Sequence, residues 1–288
     1  MTPDPENLKF EKLDKSVLQQ LIRWAASEGW NPGPYDANVF WQTDPDGYYG
    51  YYHQGELIAG GSVVSYGGSF GFMGFFIVKP ELRSKGIGRR LWMQRRDLLI
   101  ARLKPGAPIG MDGVVDMQPF YNRGGFQLAF RDERYARKGE KFAPDPHISL
   151  IEPGDFNEVS EYDTACFGFP RPQFLKPWLA MPLSRALKYV DNGRLKGFAL
   201  MRRVGEGYKI GPLFADDAHI AGSLYTACLS AVPGEMVYLD IPVINDAAVK
   251  LVKKYHAHYT FECARMYYGP PPEMPLHRIF GITTFELG

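Results

Sequence analysis

The spacing of apolar positions divides the first half of the chain into strands and helices. Apolar residues recur at helical spacing over Asp14–Ser27 and Gly86–Leu103, so both stretches are predicted to be helices. Apolar runs bounded by turn residues predict strands, one before the first helix and the others after a loop rich in aromatic residues that follows this helix. The predicted strands are Phe10–Leu13, Tyr48–His53, Leu57–Ser65, Phe70–Val78 and Ile109–Val115.

The second half repeats this order after a polar stretch with two prolines, Gly139–Pro146, which we take as a linker. Its predicted helices start near Pro153–Asp155 and span Asp217–Ala231 and Asn245–Tyr255. The predicted strands are His147–Leu150, Ala186–Asp191, Leu195–Arg203, Tyr208–Phe214, Val237–Ile241 and a last pair around Cys263–Tyr268 and Ile282–Leu287. The chain therefore resembles a tandem of two related domains, 1–140 and 146–288, of mixed α/β class.

Composition removes several classes of function. With 45% hydrophobic and 23% charged residues the chain is globular, and a net charge of +1 gives no electrostatic case for binding nucleic acid or an anionic membrane. Leu57–Val78 carries no charge, but its glycines and the turn at Tyr66–Ser69 favour a hairpin over a membrane span. Three cysteines without a C-x-x-C pair, and no signal peptide, indicate a cytoplasmic protein. No metal is expected, because His256 and His258 lack further ligands at useful spacing.

The junction between the strand ending at Val78 and the following helix is the most informative candidate for a binding site. Arg83, Ser84, Lys85, Gly86, Ile87 and Gly88 combine two cations, flexible glycines and the free N–H groups of a helix start, a combination that suits a pyrophosphate. Two glycines in such a turn can also serve a purely steric role. The spacing does not fit a dinucleotide fold, and the Gly-Lys-Ser/Thr of a P-loop is absent.

Downstream, Phe120–Phe126 reads F-Y-x-x-x-G-F, and together with R-x-x-G-x-G at Arg83–Gly88 it resembles the GNAT acetyltransferase superfamily. This resemblance implies two GNAT-like domains, each a twisted, mostly antiparallel sheet flanked by helices, with acetyl-CoA as co-substrate. It implies that Tyr121 is the general acid, although a packing role next to Phe120 stays open. The implied cofactor-binding residues are Ile77, Val78, Arg83, Ser84, Lys85, Gly86, Ile87, Gly88 and Arg89.

Three segments of the second half, Gly211–Asp217, Ala264–Tyr267 and Phe280–Gly288, resemble the C-terminal domain of YitH-like GNAT proteins. The first of these places Asp216 and Asp217 where the first half has cations, so this domain is expected to bind no CoA. We expect it instead to close the acceptor site through Asp163–Arg171.

The acceptor site and the general base are less specified. Aromatic rings and two carboxylates are the acceptor candidates, namely Trp30, Tyr35, Asp36, Trp41 and Asp163, with core packing or an Asx turn as alternatives. The fourth strand, Phe70–Val78, has no titratable side chain, which leaves Asp112 and Asp116 as possible bases, and Asp116 is equally suited to cap a helix. A water-mediated proton path or an amine that arrives neutral stays open.

The sequence thus predicts an N-acetyltransferase that modifies an amine, most readily that of a small molecule. Because no base is evident, a non-catalytic acyl-CoA-binding or regulatory protein is the alternative. Modification of protein lysines is disfavoured, since a second domain would cover the acceptor face. The amine, the acyl chain length and the oligomeric state are not predicted.

Overall fold

A computed structural model describes residues 3–288, and within this range the chain forms thirteen strands and eight α-helices. The helices are α1 Lys15–Ser27, α2 Asp36–Thr43, α3 Ile87–Arg102, α4 Gln118–Arg123, α5 Phe156–Phe167, α6 Pro172–Leu179, α7 Ala218–Ala231 and α8 Asp246–Lys254. The strands of the first half are β1 Lys9–Lys12, β2 Tyr48–His53, β3 Glu56–Tyr66, β4 Phe70–Val78, β5 Ile109–Val114 and β6 Phe126–Lys138. Those of the second half are β7 Ile148–Leu150, β8 Ser184–Asp191, β9 Arg194–Arg203, β10 Tyr208–Ala215, β11 Met236–Pro242, β12 His258–Tyr268 and β13 Ile279–Gly281.

All the strands belong to one mostly antiparallel sheet, in the order β1-β2-β3-β4-β5-β12-β6-β11-β10-β9-β8-β7, with β13 on β10. The two halves exchange strands at its centre. Strand β12 lies between β5 and β6, while β6 pairs with β11. The predicted fold class is confirmed, and the exchange means that the two units share a continuous sheet. Residues from the second half are thereby placed next to β5 of the first.

Apolar side chains from both halves build the core. One cluster joins Leu21 of α1 and Phe72 of β4 to Phe174 and Trp178 of α6. A second lies beneath α7 and α8, around Leu224. Packing of this kind fixes the second half firmly against the first, because buried interiors are close-packed and tolerate little displacement.

Several expectations about single elements were wrong. Residues 282–287, predicted as a strand, form turns after β13, and α2, α6 and β6 were not predicted as elements. Arg95 of α3, although charged, is fully buried and donates to the carbonyl oxygens of Ser62 and Gly74. Within the described residues, no helix is both long and apolar enough to cross a membrane.

Candidate acyl-transfer site

The two central strands β4 and β5 part in the middle of the sheet. Their parallel pairing covers only residues 71–73 of β4 and 109–111 of β5. Just beyond, the register between β3 and β4 shifts, and Phe75 takes a positive φ of 50°. An extra residue in one strand bends it and frees backbone groups from the ladder. The parting thus opens a gap between the two strands. On the edge of β4 that faces β5, residues 74–78 pair with no strand of the described chain.

The glycine-rich turn lies at one end of this gap. Gly86 precedes α3 with a φ of 84°, a conformation that favours glycine over residues with a Cβ. No side chain among residues 3–288 caps α3, so the N–H groups of its first turn remain available to an anion. Arg83 donates to the Val78 carbonyl oxygen at 2.9 Å and pairs with Glu28. The turn therefore combines a positive helix end with a cation tethered to β4.

Tyr121, on helix α4, approaches the gap from the side of β5. Its ring lies against Gly113 of β5, where a Cβ would come within 2.6 Å of the tyrosine ring, and it makes edge contacts with Phe76 and Phe120. Burial raises the pKa of the Tyr121 phenol well above its usual range. The side chain is consequently protonated at neutral pH and can donate a proton.

One cavity of about 670 Å³ connects these features. Among the predicted cofactor residues it is lined by Ile77, Val78, Arg83, Ser84, Gly86, Gly88 and Arg89, and Tyr121 also lines it. Lys85 and Ile87 lie outside the lining. Lys85 donates to the Glu81 carbonyl oxygen at 2.8 Å, and Ile87 is fully buried in the apolar core beneath the turn.

Of the predicted acceptor residues, only Trp30 lines the cavity. Asp36 is fully buried and forms a bidentate ion pair with Arg202, whose Nε and Nη2 lie 2.9 and 3.0 Å from the carboxylate oxygens. The Asp36 carboxylate is therefore not available to an amine. Trp41 stacks on Tyr48, and Tyr35 packs against the core. These residues hold the structure beside the site, and we do not include them in it.

Asp163 and Arg171 also play a different part from the one expected. Their side chains form a buried ion pair, with Arg171 Nε and Nη2 at 2.8 and 2.7 Å from the carboxylate. Arg171 further donates to Thr283 Oγ1 and to the Gly288 carbonyl oxygen. The pair does not line the cavity. It anchors the C-terminal segment, residues 283–288, and this segment lines the cavity.

The wall contributed by the second half consists of Phe261, Cys263, Phe285 and Glu286. Phe261 and Phe285 make an edge-to-face contact at 5.9 Å, and the guanidinium of Arg134 lies over both rings. Sequence patterns could not identify these residues, because only the strand exchange and the turns after β13 bring them to β4.

The two carboxylates proposed as bases differ in their surroundings. Asp112 lines the cavity but is held by Arg265, with both oxygens within 2.8 Å of the guanidinium. Asp116 lines the cavity on an exposed 3-10 turn and does not cap α4, whose N-cap residue is Met117. Nearby Asp132 is buried without a hydrogen-bond partner among the described residues, and burial beside Asp112 raises its pKa well above the usual range.

Comparison with known sequences agrees with this geometry. The profile of the acetyltransferase (GNAT) family matches residues 16–126, and that of an acetyltransferase (GNAT) domain matches residues 159–281. The chain is 30% identical to the holothin acyltransferase of a Pseudoalteromonas species over 273 residues, which cover 94% of this chain and 91% of the relative. It is 23% identical to the N-acetyltransferase YitH of Bacillus subtilis, over 80% of this chain and 81% of YitH.

Solved structures share the fold. A proposed acetyltransferase from Pyrococcus horikoshii superposes with a TM-score of 0.84 at 21% identity, covering 98% of this chain and 96% of that one. A tandem GNAT protein from the clavulanic acid biosynthesis pathway gives 0.65 at 14% identity, covering 92% and 100%. With the parted strands, the glycine-rich turn and the relatives in agreement, the chain belongs to the GNAT acetyltransferase family, as a tandem GNAT protein.

Proposed function

We propose that this protein transfers an acetyl group from acetyl-CoA to the amine of a small molecule, with the reaction centre in its first half. The observation that carries the proposal is the single cavity in which the anion-binding turn, the parted strands and Tyr121 meet. CoA is a long molecule with an anionic end and a reactive thioester end. A cavity with cations at one end and a protonated phenol along it suits both.

The turn would hold the anionic end. The free N–H groups at the start of α3 and the guanidinium groups of Arg83 and Arg89 would bind phosphate oxygens. Since Arg83 is paired with Glu28, phosphate would have to replace that carboxylate. Both side chains of this pair are partly exposed, so the exchange costs little.

The thioester would lie between the parted strands. Backbone N–H groups of β4 near Ile77 and Val78 would polarise its carbonyl, and Tyr121 would protonate the departing CoA sulfur. In this proposal the second half binds no CoA. Asp217 caps α7 by accepting from the Ile220 N–H at 2.9 Å, so a carboxylate occupies the position that phosphate would take.

The same geometry supports a small acceptor. The C-terminal segment closes one side of the cavity, which leaves little room for a protein surface to reach the gap. The relative from a Pseudoalteromonas species is named a holothin acyltransferase, which agrees with acyl transfer as the reaction proposed here. The three cysteines are free thiols, which supports the cytoplasmic location included in this proposal.

Two measurements test the proposal. Calorimetry with CoA on Arg83→Glu should give binding weaker by about 1.5 to 3 kcal/mol, the range for hydrogen bonds involving charged groups. Arg203→Glu is the matched control, because Arg203 is partly exposed on β9 and does not line the cavity. A screen for thiol release from acetyl-CoA with diverse amines then separates enzyme from binder. Unchanged CoA affinity in Arg83→Glu would refute the site, and CoA binding without thiol release would favour the non-catalytic alternative.

A further inference from the structure

The C-terminal segment places one unpaired carboxylate in the wall of the cavity. Glu286 is 3% exposed and lines the same cavity as Tyr121 and the glycine-rich turn. Within residues 3–288, no side chain donates a hydrogen bond to its carboxylate, and no cation lies within ion-pair distance. Burying a carboxylate without a partner destabilises the folded protein, so the stability of the fold does not explain its presence. Such a group is therefore a candidate for function.

The backbone of Glu286 lies directly against β4 where the strands part. A Cβ built on Gly74 would be only 2.1 Å from the Glu286 carbonyl oxygen, so close an approach is possible because residue 74 is glycine. Thr284 Oγ1 accepts from the N–H groups of Glu286 and Leu287, at 3.2 and 2.9 Å. Tyr66 donates its hydroxyl to the Leu287 carbonyl oxygen at 2.7 Å. Glu286 is thus held on a fixed turn beside the gap.

The other carboxylates of the cavity are less suited to receive a proton there. Glu28 is paired with Arg83 at the anion-binding turn, and Asp112 is paired with Arg265. Asp116 is exposed on the turn that follows β5. Glu286 alone among these four combines burial, the lack of an ion pair and contact with β4 at the point of parting.

Its surroundings make this carboxylate a stronger base than that of an exposed glutamate. Burial raises the pKa of the Glu286 carboxyl above its usual range, and Asp36 adds to the effect. Lys209, Arg202 and Arg134 oppose it, but each has its own partners. Arg202 pairs with Asp36, Arg134 pairs with Asp240, and Lys209 donates to the Trp30 and Asn31 carbonyl oxygens. A carboxylate whose pKa is raised in this way accepts a proton more readily.

Much of the remaining wall is apolar and aromatic. Trp30, Phe75, Phe261 and Phe285 line the cavity together with Met73 and Met111. Rings and thioethers of this kind pack well against a flat apolar body.

We propose that Glu286, supplied by the second half, is the general base of the site in the first half, and that it serves an amine attached to an apolar, ring-bearing body. This inference rests on the function proposed above. It gives the second half a catalytic group as well as a wall, and it supplies the base that β4 lacks.

The reaction balances with these groups. The neutral amine nitrogen attacks the thioester carbon, the C–N bond forms, and the C–S bond breaks. The nitrogen gives one proton to the Glu286 carboxylate, and Tyr121 gives one to the CoA sulfur. The products are the acetamide and CoA thiol, and proton exchange with solvent restores the Glu286 carboxylate and the Tyr121 phenol. An amine that arrives as ammonium first releases one additional proton to solvent.

The test uses the full-length protein with acetyl-CoA and two probes, benzylamine and tryptamine, and it measures thiol release over a range of pH. We expect the wild type to acetylate at least one probe, with kcat falling at low pH as Glu286 becomes protonated. Glu286→Gln, which keeps the shape and removes the charge, should lower kcat by about 10²-fold or more and abolish that low-pH limb. Glu286→Asp should retain part of the activity, because it keeps a carboxylate.

Two controls make the result specific. CoA affinity by calorimetry should stay within about threefold of wild type in Glu286→Gln, since the anion-binding turn is untouched. Glu273→Gln removes an exposed carboxylate nearby in the chain and should leave kcat unchanged. Wild-type kcat in Glu286→Gln would refute the base. A wild type that binds CoA but acetylates neither probe would refute the acceptor class, whereas a wild type that binds no CoA would overturn the proposed function itself.

Discussion

Arg171 provides a direct test of how the second half shapes the site, because it ties the C-terminal segment to the body of the protein. Its guanidinium donates to both oxygens of Asp163, to Thr283 Oγ1 and to the Gly288 carbonyl oxygen. It also lies 3.7 Å from the centre of the Phe167 ring. Arg171→Met keeps an unbranched apolar stem and removes all of these donors.

The cost can be worked out from burial. Asp163 is 1% exposed, so without Arg171 it becomes a buried carboxylate with no cation. Removing one partner of a buried ion pair typically costs about 3 to 5 kcal/mol. A domain is stable by about 5 to 15 kcal/mol in total, so the loss is a large fraction. With a urea dependence of about 3 kcal/mol per M, the unfolding midpoint should fall by about 1 to 2 M.

Urea unfolding followed by tryptophan fluorescence measures this shift. Arg203→Met is the matched control, because Arg203 pairs with Glu235 at 3.5 Å and the two side chains are 36% and 51% exposed. An exposed pair contributes less than about 1 kcal/mol, so its midpoint should move little. The double variant Asp163→Asn with Arg171→Met removes the orphaned charge and should recover part of the loss.

The same variant should affect catalysis more than CoA binding. The segment that it releases carries Glu286, whereas the anion-binding turn lies on the other side of the cavity. Equal midpoints for Arg171→Met and Arg203→Met would show that Arg171 does not anchor the segment. If Arg171→Met lowered the unfolding midpoint but kept the wild-type kcat, anchoring of the segment would not matter for catalysis, and the functional part of the reasoning would be refuted.

Three further outcomes are expected. Tyr121→Phe should lower kcat by about 10²-fold or more while CoA affinity measured by calorimetry stays close to wild type, and wild-type turnover would remove Tyr121 from the mechanism. Calorimetry should give one CoA per chain, because Asp217 occupies the helix start of the second half, and a stoichiometry of two would contradict this. Gly74→Ala should displace the C-terminal segment, since its Cβ would lie 2.1 Å from the Glu286 carbonyl oxygen, and should lower kcat, whereas Gly154→Ala, with nothing within 4 Å, should have wild-type activity.

Local patterns determined most of the fold. The strands Tyr48–His53 and Phe70–Val78 agree with the sequence prediction at both ends, because apolar runs between turn residues mark buried strands directly. The glycine-rich turn and Tyr121 were also identified in advance as candidates. Each of them is marked by a motif of a few consecutive residues, and over such a short range the residue types largely determine the backbone conformation.

Tertiary structure decided the rest, which depends on contacts between distant parts of the chain. The insertion of β12 between β5 and β6 brings Phe261 and Cys263 to the gap, and nothing local in either strand specifies that partner. The sequence makes Asp36 and Asp163 candidates for binding the acceptor, but in the structure they form ion pairs with Arg202 and Arg171. Glu286 was part of a predicted strand, yet the turn held by Thr284 and Arg171 places it against Gly74. Sequence shows which residues can carry charge, but only packing determines which of those charges remain unpaired.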